Sequence, residues 1–221
     1  MARVIERART VRGVDRLVLA TDSEEIAEAV DPWDVEVVMT SADHESGTDR
    51  VAEVARHPVY SAYDIVVNLQ GDEPFMPAEA VAGAIRKAQE GDDIGTAAAP
   101  LNPDLRHEPA LVKVVCDANG RGLYFSRAAI PHVRDAADLA GTRWWQHLGV
   151  YAYRREALLR VTALPTCMLE RAERLEQLRA LDAGLTIGVA LLDNPAPAGI
   201  DTPDDLAAAE VRWRELTEES R

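Results

Sequence analysis

The sequence predicts an α/β fold: a mostly parallel sheet flanked by helices on both faces, with one β-hairpin inserted. Three observations carry this. Short runs rich in β-branched residues alternate with segments of helical period. The run at residues 64–69, Asp-Ile-Val-Val-Asn-Leu, is too continuously apolar for a strand with one wet face. Asp117-Ala118-Asn119-Gly120 between two apolar runs is a hairpin turn signal.

The elements follow in order. Residues 16–20 read as a buried strand, followed by a Thr21-Asp22-Ser23 turn and a helix over 24–30. Residues 35–39 form a second apolar run, and a polar loop at 41–48 opens a helix that runs through Arg56. The strand at 64–69 ends in Gln70-Gly71-Asp72-Glu73-Pro74, and Pro77 suits the first position of a helix reaching about residue 90. Residues 94–100 make a strand; 112–116 and 122–125 make the hairpin; 148–153 make a strand that leads into a helix at 155–161. Met168, Ala172, Leu175 and Leu178 share one stripe, which predicts a single helix over 168–181. A strand at 185–191 and a helix at 202–216 complete the series. No internal repeat or Gly/Ser linker divides the chain, so residues 1–221 read as one domain.

Composition excludes several classes of function. With 24 Lys+Arg against 38 Asp+Glu the net charge is −14, which lacks the basic footprint of a nucleic-acid partner. No apolar run reaches the roughly 18 residues of a membrane span, and the amino end has no secretory apolar segment. Two cysteines, Cys116 and Cys167, make neither a disulfide framework nor a metal-ligand spacing. The expectation is a soluble acidic protein of a reducing compartment, the cytoplasm. Walker A, G-x-G-x-x-G, H-E-x-x-H and G-x-S-x-G patterns are all absent from the sequence.

In parallel sheets ligands gather at the carboxyl ends of strands, so the residues after each strand are the candidates. Asp72, in Gln70-Gly71-Asp72-Glu73-Pro74, is placed to hold a hard cation such as Mg²⁺. Gly71 lets a ligand approach the backbone, and Gln70 offers both a donor and an acceptor. The same acidic turn also suits a plain helix start. In Ile200-Asp201-Thr202-Pro203-Asp204-Asp205, Thr202 can cap the following helix with Asp205 at the third position. Asp201 is thereby left free to join Asp72 on one Mg²⁺ bridging phosphate oxygens, or simply to complete the turn. Ser46, Gly47 and Thr48 present backbone N–H groups to an anion and Arg50 adds a forked cation, unless Thr48 serves only as a cap. His147 beside an apolar strand, Arg127 after Tyr124-Phe125-Ser126, and the polar face of Glu173, Glu176 and Gln177 suit sugar hydroxyls or a carboxylate, although such a His is more often structural and such polar residues are usually just solvated.

Taken in order, Ala20-Thr21-Asp22, His44 with 46–50, Asn68 to Pro74, Val112 to Val115, Tyr124 to Arg127, His147 to Tyr151, Leu175 to Arg179 and 201–206 resemble the 3-deoxy-manno-octulosonate cytidylyltransferase (CMP-Kdo synthetase) family along essentially the whole chain. The Q-G-D-E-P and D-T-P-D-D-L segments together are specific, and the related sialic acid cytidylyltransferases lack this Q-G-D-E-P form. The resemblance implies a nucleotide-diphospho-sugar transferase-like fold, with CTP and Kdo as substrates and CMP-Kdo and pyrophosphate as products. It also implies Mg²⁺ as cofactor and a homodimer. On this reading Asp72 and Asp201 hold the metal, and Ser46, Gly47, Arg50 and Gln70 contact CTP. Arg127, His147, Tyr151, Glu176 and Gln177 line the sugar-acid pocket.

One departure accompanies it. The family begins with a strand and an I-P-A-R…R-L-P-G-K loop whose cations grip the triphosphate. Residues 1–8 instead match the helix that comes after that loop. The expectation is an enzyme truncated at its amino end and inactive, or nearly so, in this form; the competing reading is a homologue that binds nucleotide or sugar acid without turnover.

Overall fold

The computed structural model describes residues 1–197, 199–200 and 202–219. The chain opens with helix α1 (Ala2–Ala8), which buries Val4, Ile5 and Ala8. Strand β1 (Val18–Thr21), helix α2 (Glu24–Ala29) and strand β2 (Glu36–Met39) follow. The Ser23 hydroxyl caps α2 by accepting from the Ile26 N–H at 3.3 Å. Next come α3 (Gly47–Arg56), β3 (Ile65–Leu69) and α4 (Ala78–Gln89). Strands β4 (Ile94–Leu101), β5 (Lys113–Cys116), β6 (Gly122–Ser126) and β7 (Trp144–Arg154) lead to helices α5 (Arg155–Val161), α6 (Met168–Glu173) and α7 (Gln177–Asp182). Strand β8 (Ile187–Leu191) and helix α8 (Pro203–Glu219) end the described chain.

Two sheets form. The smaller pairs β1 with β2 in parallel. The larger runs β6-β5-β7-β4-β8, with β3 also on β7. Strand β7 runs against β3, β4 and β5, whereas β4 and β8 are parallel. The sheet is therefore mixed: β7 and the edge strand β6 run opposite to β3, β4, β5 and β8. At eleven residues β7 extends well ahead of the predicted 148–153, because Trp145 and Gln146 pair with β5 while residues 150–154 pair with β3. The β5–β6 hairpin forms as predicted. Asp117 Oδ1 accepts from the N–H groups of Asn119 (2.8 Å) and Arg121 (2.9 Å), and Gly120 takes φ 78°.

The core explains the small residues. Ala80, Ala84 and Ala88 form a fully buried face of α4, pressed on β4 so closely that a Cβ at Gly95 would stand 1.9 Å from the Ala84 carbonyl oxygen. The register of β4 on β7 shifts between Thr96 and Ala97. There the Thr96 hydroxyl donates to the Val150 carbonyl at 2.7 Å and stands 2.9 Å from His147 Nε2. That arrangement satisfies polar groups which the bulge leaves in the core.

Three local expectations change. The predicted 168–181 helix is two helices, α6 and α7, because Arg174 takes the left-handed conformation (φ 56°) and ends α6. Pro77 is the cap of α4 in extended conformation, not its first helical residue. Ser46, not Thr48, caps α3, accepting from the Asp49 N–H at 3.2 Å.

The β1–β2 pair stands apart from the larger sheet. Strands β1 and β3 face each other across a slot filled by two abutting cavities of about 510 and 440 Å³. The amino ends of both rims lie together, where the Arg16 side chain reaches Tyr63.

Candidate nucleotide and sugar-acid site

The carboxyl ends of β1 and β3 converge on the 440 Å³ cavity. Its walls include Gly47 and Arg50 of α3 together with Asn68, Gln70, Gly71 and Asp72. Segments eighteen or more residues apart in sequence thus meet where a parallel sheet gathers its ligands. The guanidinium of Arg50 is held at three points: an ion pair with Asp22 (3.2 Å), Thr40 Oγ1 (2.6 Å) and the Ser41 carbonyl (3.3 Å). These contacts fix a cation at the rim and leave part of its fork for an anion. Asp22 lies just past β1 in the Ala20-Thr21-Asp22 segment of the resemblance, which assigns it no role.

Asp72 is exposed on the loop after β3, with Gln70 and Gly71. The Ile200 N–H donates to the Asp72 carbonyl at 2.9 Å, and Gly199 lies against Glu73 and Asp72. This draws the segment before residue 201 onto the Asp72 loop. Asp201 itself lies outside the described residues. The capping predicted beside it is present: Thr202 Oγ1 accepts from the Asp205 N–H (3.2 Å), and the Thr202 N–H donates to the Asp205 carboxylate (2.9 Å). Among the described residues no group of three or more His, Cys, Asp or Glu gathers as a metal cage. An exposed carboxylate of this kind suits Mg²⁺, which keeps several waters and binds through one or two carboxylates plus substrate phosphates.

The predicted sugar-acid residues occupy an adjoining corner. Glu176 and Gln177 line a crevice of about 10 Å³ with Ser46, Thr48, Asp49 and Tyr153. That volume holds at most one water, so a sugar acid enters only if the crevice widens. Thr48 Oγ1 donates to Glu176 Oε2 at 2.9 Å, which explains why Thr48 is not spent on capping α3. Gln177 Nε2 is buried with no hydrogen-bond partner among the described residues, a donor left for a ligand. The platform beneath is an ion pair in which Arg179 grips Glu170 with two bonds of 2.5 and 2.8 Å.

Tyr151 and His147 reach this corner through β7. The rings of His147 and Tyr151 lie 5.3 Å apart, those of Tyr151 and Tyr153 5.7 Å, and Tyr153 lines the crevice. Burial pushes the His147 imidazole down to about 3 and raises both tyrosines. His147 is therefore neutral at physiological pH, its Nε2 committed to Thr96. Arg127 sits at the start of the same corner, donating to the carbonyls of Glu173 (2.9 Å) and Pro109 (3.0 Å). Glu173 in turn accepts from the Arg127 N–H and from Ser126 Oγ (2.9 and 2.6 Å). Sequence reasoning gave no role to Lys113, which is wholly buried with its Nζ on the carbonyls of Glu108, Leu111 and Arg127.

An α/β sheet whose strand ends bring together an anion-ready helix start, a fixed arginine and an exposed carboxylate loop belongs with the nucleotide-binding transferases. The comparisons make this specific. A family model described as Cytidylyltransferase matches residues 1–187, and the chain belongs to that family. It is 50% identical over 216 residues to a 3-deoxy-manno-octulosonate cytidylyltransferase of Gemmatimonas aurantiaca, covering 96% of this chain and 83% of the relative. A Xanthomonas campestris protein of the same name is 46% identical over 220 residues, covering 95% and 87%. A solved structure of CMP:2-keto-3-deoxy-manno-octonic acid synthetase complexed with CTP superposes with a TM-score of 0.89 at 36% identity, covering 97% of this chain and 87% of that one. A 4-diphosphocytidyl-2C-methyl-D-erythritol synthase, at TM-score 0.60 and 16% identity, shares the fold.

Proposed function

We propose that this protein activates Kdo for lipopolysaccharide biosynthesis, converting CTP and Kdo to CMP-Kdo and pyrophosphate. The observation that carries this reading is 46–50% identity along about 95% of the chain to relatives named 3-deoxy-manno-octulosonate cytidylyltransferase. The site geometry fits it. CTP lies in the 440 Å³ cavity, with Gln70 on the nucleoside and the Ser46-Gly47 backbone and Arg50 on the phosphates. Kdo enters the widened crevice beside Glu176 and Gln177, where Gln177 Nε2 gains the partner it lacks. Arg127 supplies the cation for the sugar carboxylate, and the neutral His147 holds Tyr151 in place.

The anomeric hydroxyl attacks the α-phosphorus in line. Its O–P bond forms as the bond to the β-phosphate bridging oxygen breaks; pyrophosphate leaves with that electron pair and the hydroxyl proton is released. A Mg²⁺ on Asp72 and Asp201 supplies neutralisation of the phosphate charge. The chain acts in the cytoplasm as a homodimer.

Pyrophosphate release tests the reading, measured with CTP, Kdo and Mg²⁺ on this chain and on one extended by the family's amino-terminal strand and loop. The extended form turns over, and no turnover by it contradicts the reading. In the extended form Asp72→Ala and Asp201→Ala each abolish Mg²⁺-dependent turnover. Retained activity in either variant removes that residue from the metal role.

A further inference from the structure

Two cations at the sugar-acid corner are held without any carboxylate. The Arg127 guanidinium donates to the carbonyls of Glu173 (2.9 Å) and Pro109 (3.0 Å) and reaches that of Arg174 at 3.5 Å. The Lys113 ammonium donates to the carbonyls of Glu108 (2.9 Å), Leu111 (2.5 Å) and Arg127 (2.5 Å). Among the described residues neither side chain forms an ion pair. The nearby Glu173 carboxylate is occupied by the Arg127 N–H and Ser126 Oγ. The two cations also share a loop: residues 108–111 give two carbonyls to Lys113 and a third to Arg127. Lys113 itself stands in β5 beside Ser126 of β6 and Gln146 of β7, with none of its surface exposed. Its three N–H donors are matched one for one by carbonyls, which only accept and so keep the proton on the nitrogen. Burying a charge is costly, and packing of the core gives no reason for one here. What the ammonium adds is a junction between the 108–111 loop and the backbone of Arg127.

We propose that Lys113 is a positioning residue for the sugar-acid carboxylate. By tying the 108–111 loop to the carbonyl of Arg127, it sets the Arg127 guanidinium in place and leaves it without a carboxylate of the protein's own. Three carbonyl contacts use three of the guanidinium's five N–H donors, so two remain for an incoming carboxylate. Arg127 Nη2 rests on the carbonyl of Arg174, two residues before Glu176, so the fork stays beside the sugar crevice. Lys113 never touches the substrate; it acts through Arg127 and the loop. Its charge also adds to the positive potential there, in a region that water does not screen. The inference rests on the reading of Kdo as substrate and of Arg127 as its carboxylate partner.

Binding measurements test it, with CTP, Kdo and the methyl ester of Kdo as probes. The unsubstituted chain is expected to prefer Kdo to its uncharged ester at least about tenfold. Lys113→Met removes the ammonium and keeps the stem. It should abolish that preference, weaken Kdo about tenfold and leave the Kd for CTP within about twofold. Lys113→Arg, which returns a cation to the same carbonyls, should recover part of the preference. Should Lys113→Met fail to fold, Lys113→Gln, which still donates to two carbonyls, is read in the same way. A substrate-free measurement accompanies these. The Arg127 Nε–H, bonded to the Glu173 carbonyl, should exchange with solvent at least about tenfold faster once the ammonium is removed, while the amides of β4 keep their rates. Unchanged exchange at Arg127 in a folded Lys113→Met or Lys113→Gln chain overturns the proposal. So does a loss of CTP and Kdo binding by equal factors, which makes Lys113 a general support of the fold. Absence of Kdo binding by the unsubstituted chain overturns the Kdo reading instead, and exchange at Arg127 still decides the role of Lys113.

Discussion

The two sheets treat their residues differently. In the larger one, β4 is paired on both edges and covered by α4, and residues 94–99 are all buried. In the smaller one, β2 has no buried residue, and the pair rests on a core of only Ile5, Leu19 and Val30. The sugar-acid corner is built on the first sheet with a buried ion pair under it. The residues proposed for CTP and metal straddle the seam, with Arg50, held by Asp22, on one side and Gln70 and Asp72 on the other. Stability is thus concentrated at one end of the site, and the phosphate end depends on how the seam closes.

Four tests, the first a pair of substitutions, sharpen that contrast. Glu170→Ala leaves the Arg179 guanidinium buried beneath the sugar corner without its carboxylate, and should cost about 3–5 kcal/mol in urea unfolding. Glu36→Ala in the smaller sheet removes the partner of Arg16, an ion pair of similar distance (2.6 Å) but one-third exposed on each side, together with the acceptor of the Tyr60 hydroxyl; the cost there should be clearly smaller. Equal losses in the two variants would contradict the contrast.

Gly95→Ala should cost about 3 kcal/mol, roughly a 6–12 °C fall in Tm, because a backbone carbonyl of α4 blocks the new methyl group. A fall of less than about 2 °C would mean that α4 can lift from β4.

The third change is in pH. His147 is held at about 3 in the folded chain against 6.5 in the unfolded one, so below pH 6.5 the unfolded state binds the extra proton. The stability due to neutral His147 is complete above pH 6.5 and is lost as pH falls toward 3. Between pH 7 and 5 the loss is about 2 kcal/mol, by the proton linkage of one group. His147→Gln should flatten the unfolding free energy over that range by this amount; an unchanged slope would show that water reaches the ring.

The smallest effect on stability belongs to Gln177→Met. Removing an unpartnered buried amide should leave Tm unchanged or slightly higher. In an active extended form the same substitution should raise KM for the sugar acid. A clear drop in Tm would show that Nε2 has a partner within the fold.

Much of this architecture is legible in the sequence, because β3, β4, β8 and the Asn-Gly hairpin carry strong local signals. The break between α6 and α7 is not, since the apolar stripe runs through Arg174 and nothing in an arginine announces a left-handed residue. The full length of β7 is hidden for a related reason: Trp144 to His147 are ordered by partners in β5 and β4, not by their own alternation. Of the site, the loop 70–74 and the start of α3 can be read locally. The Thr48–Glu176 bond, spanning 128 positions, and the burial of Lys113 on three carbonyls emerge only from packing.

The most direct test of the account is the product formed by the extended chain. With CTP, Kdo and Mg²⁺ it should release one pyrophosphate for each CMP-Kdo formed, and none when Kdo is withheld. No turnover by that form, or pyrophosphate release that does not depend on Kdo, would contradict the reading of this protein as a Kdo-activating cytidylyltransferase.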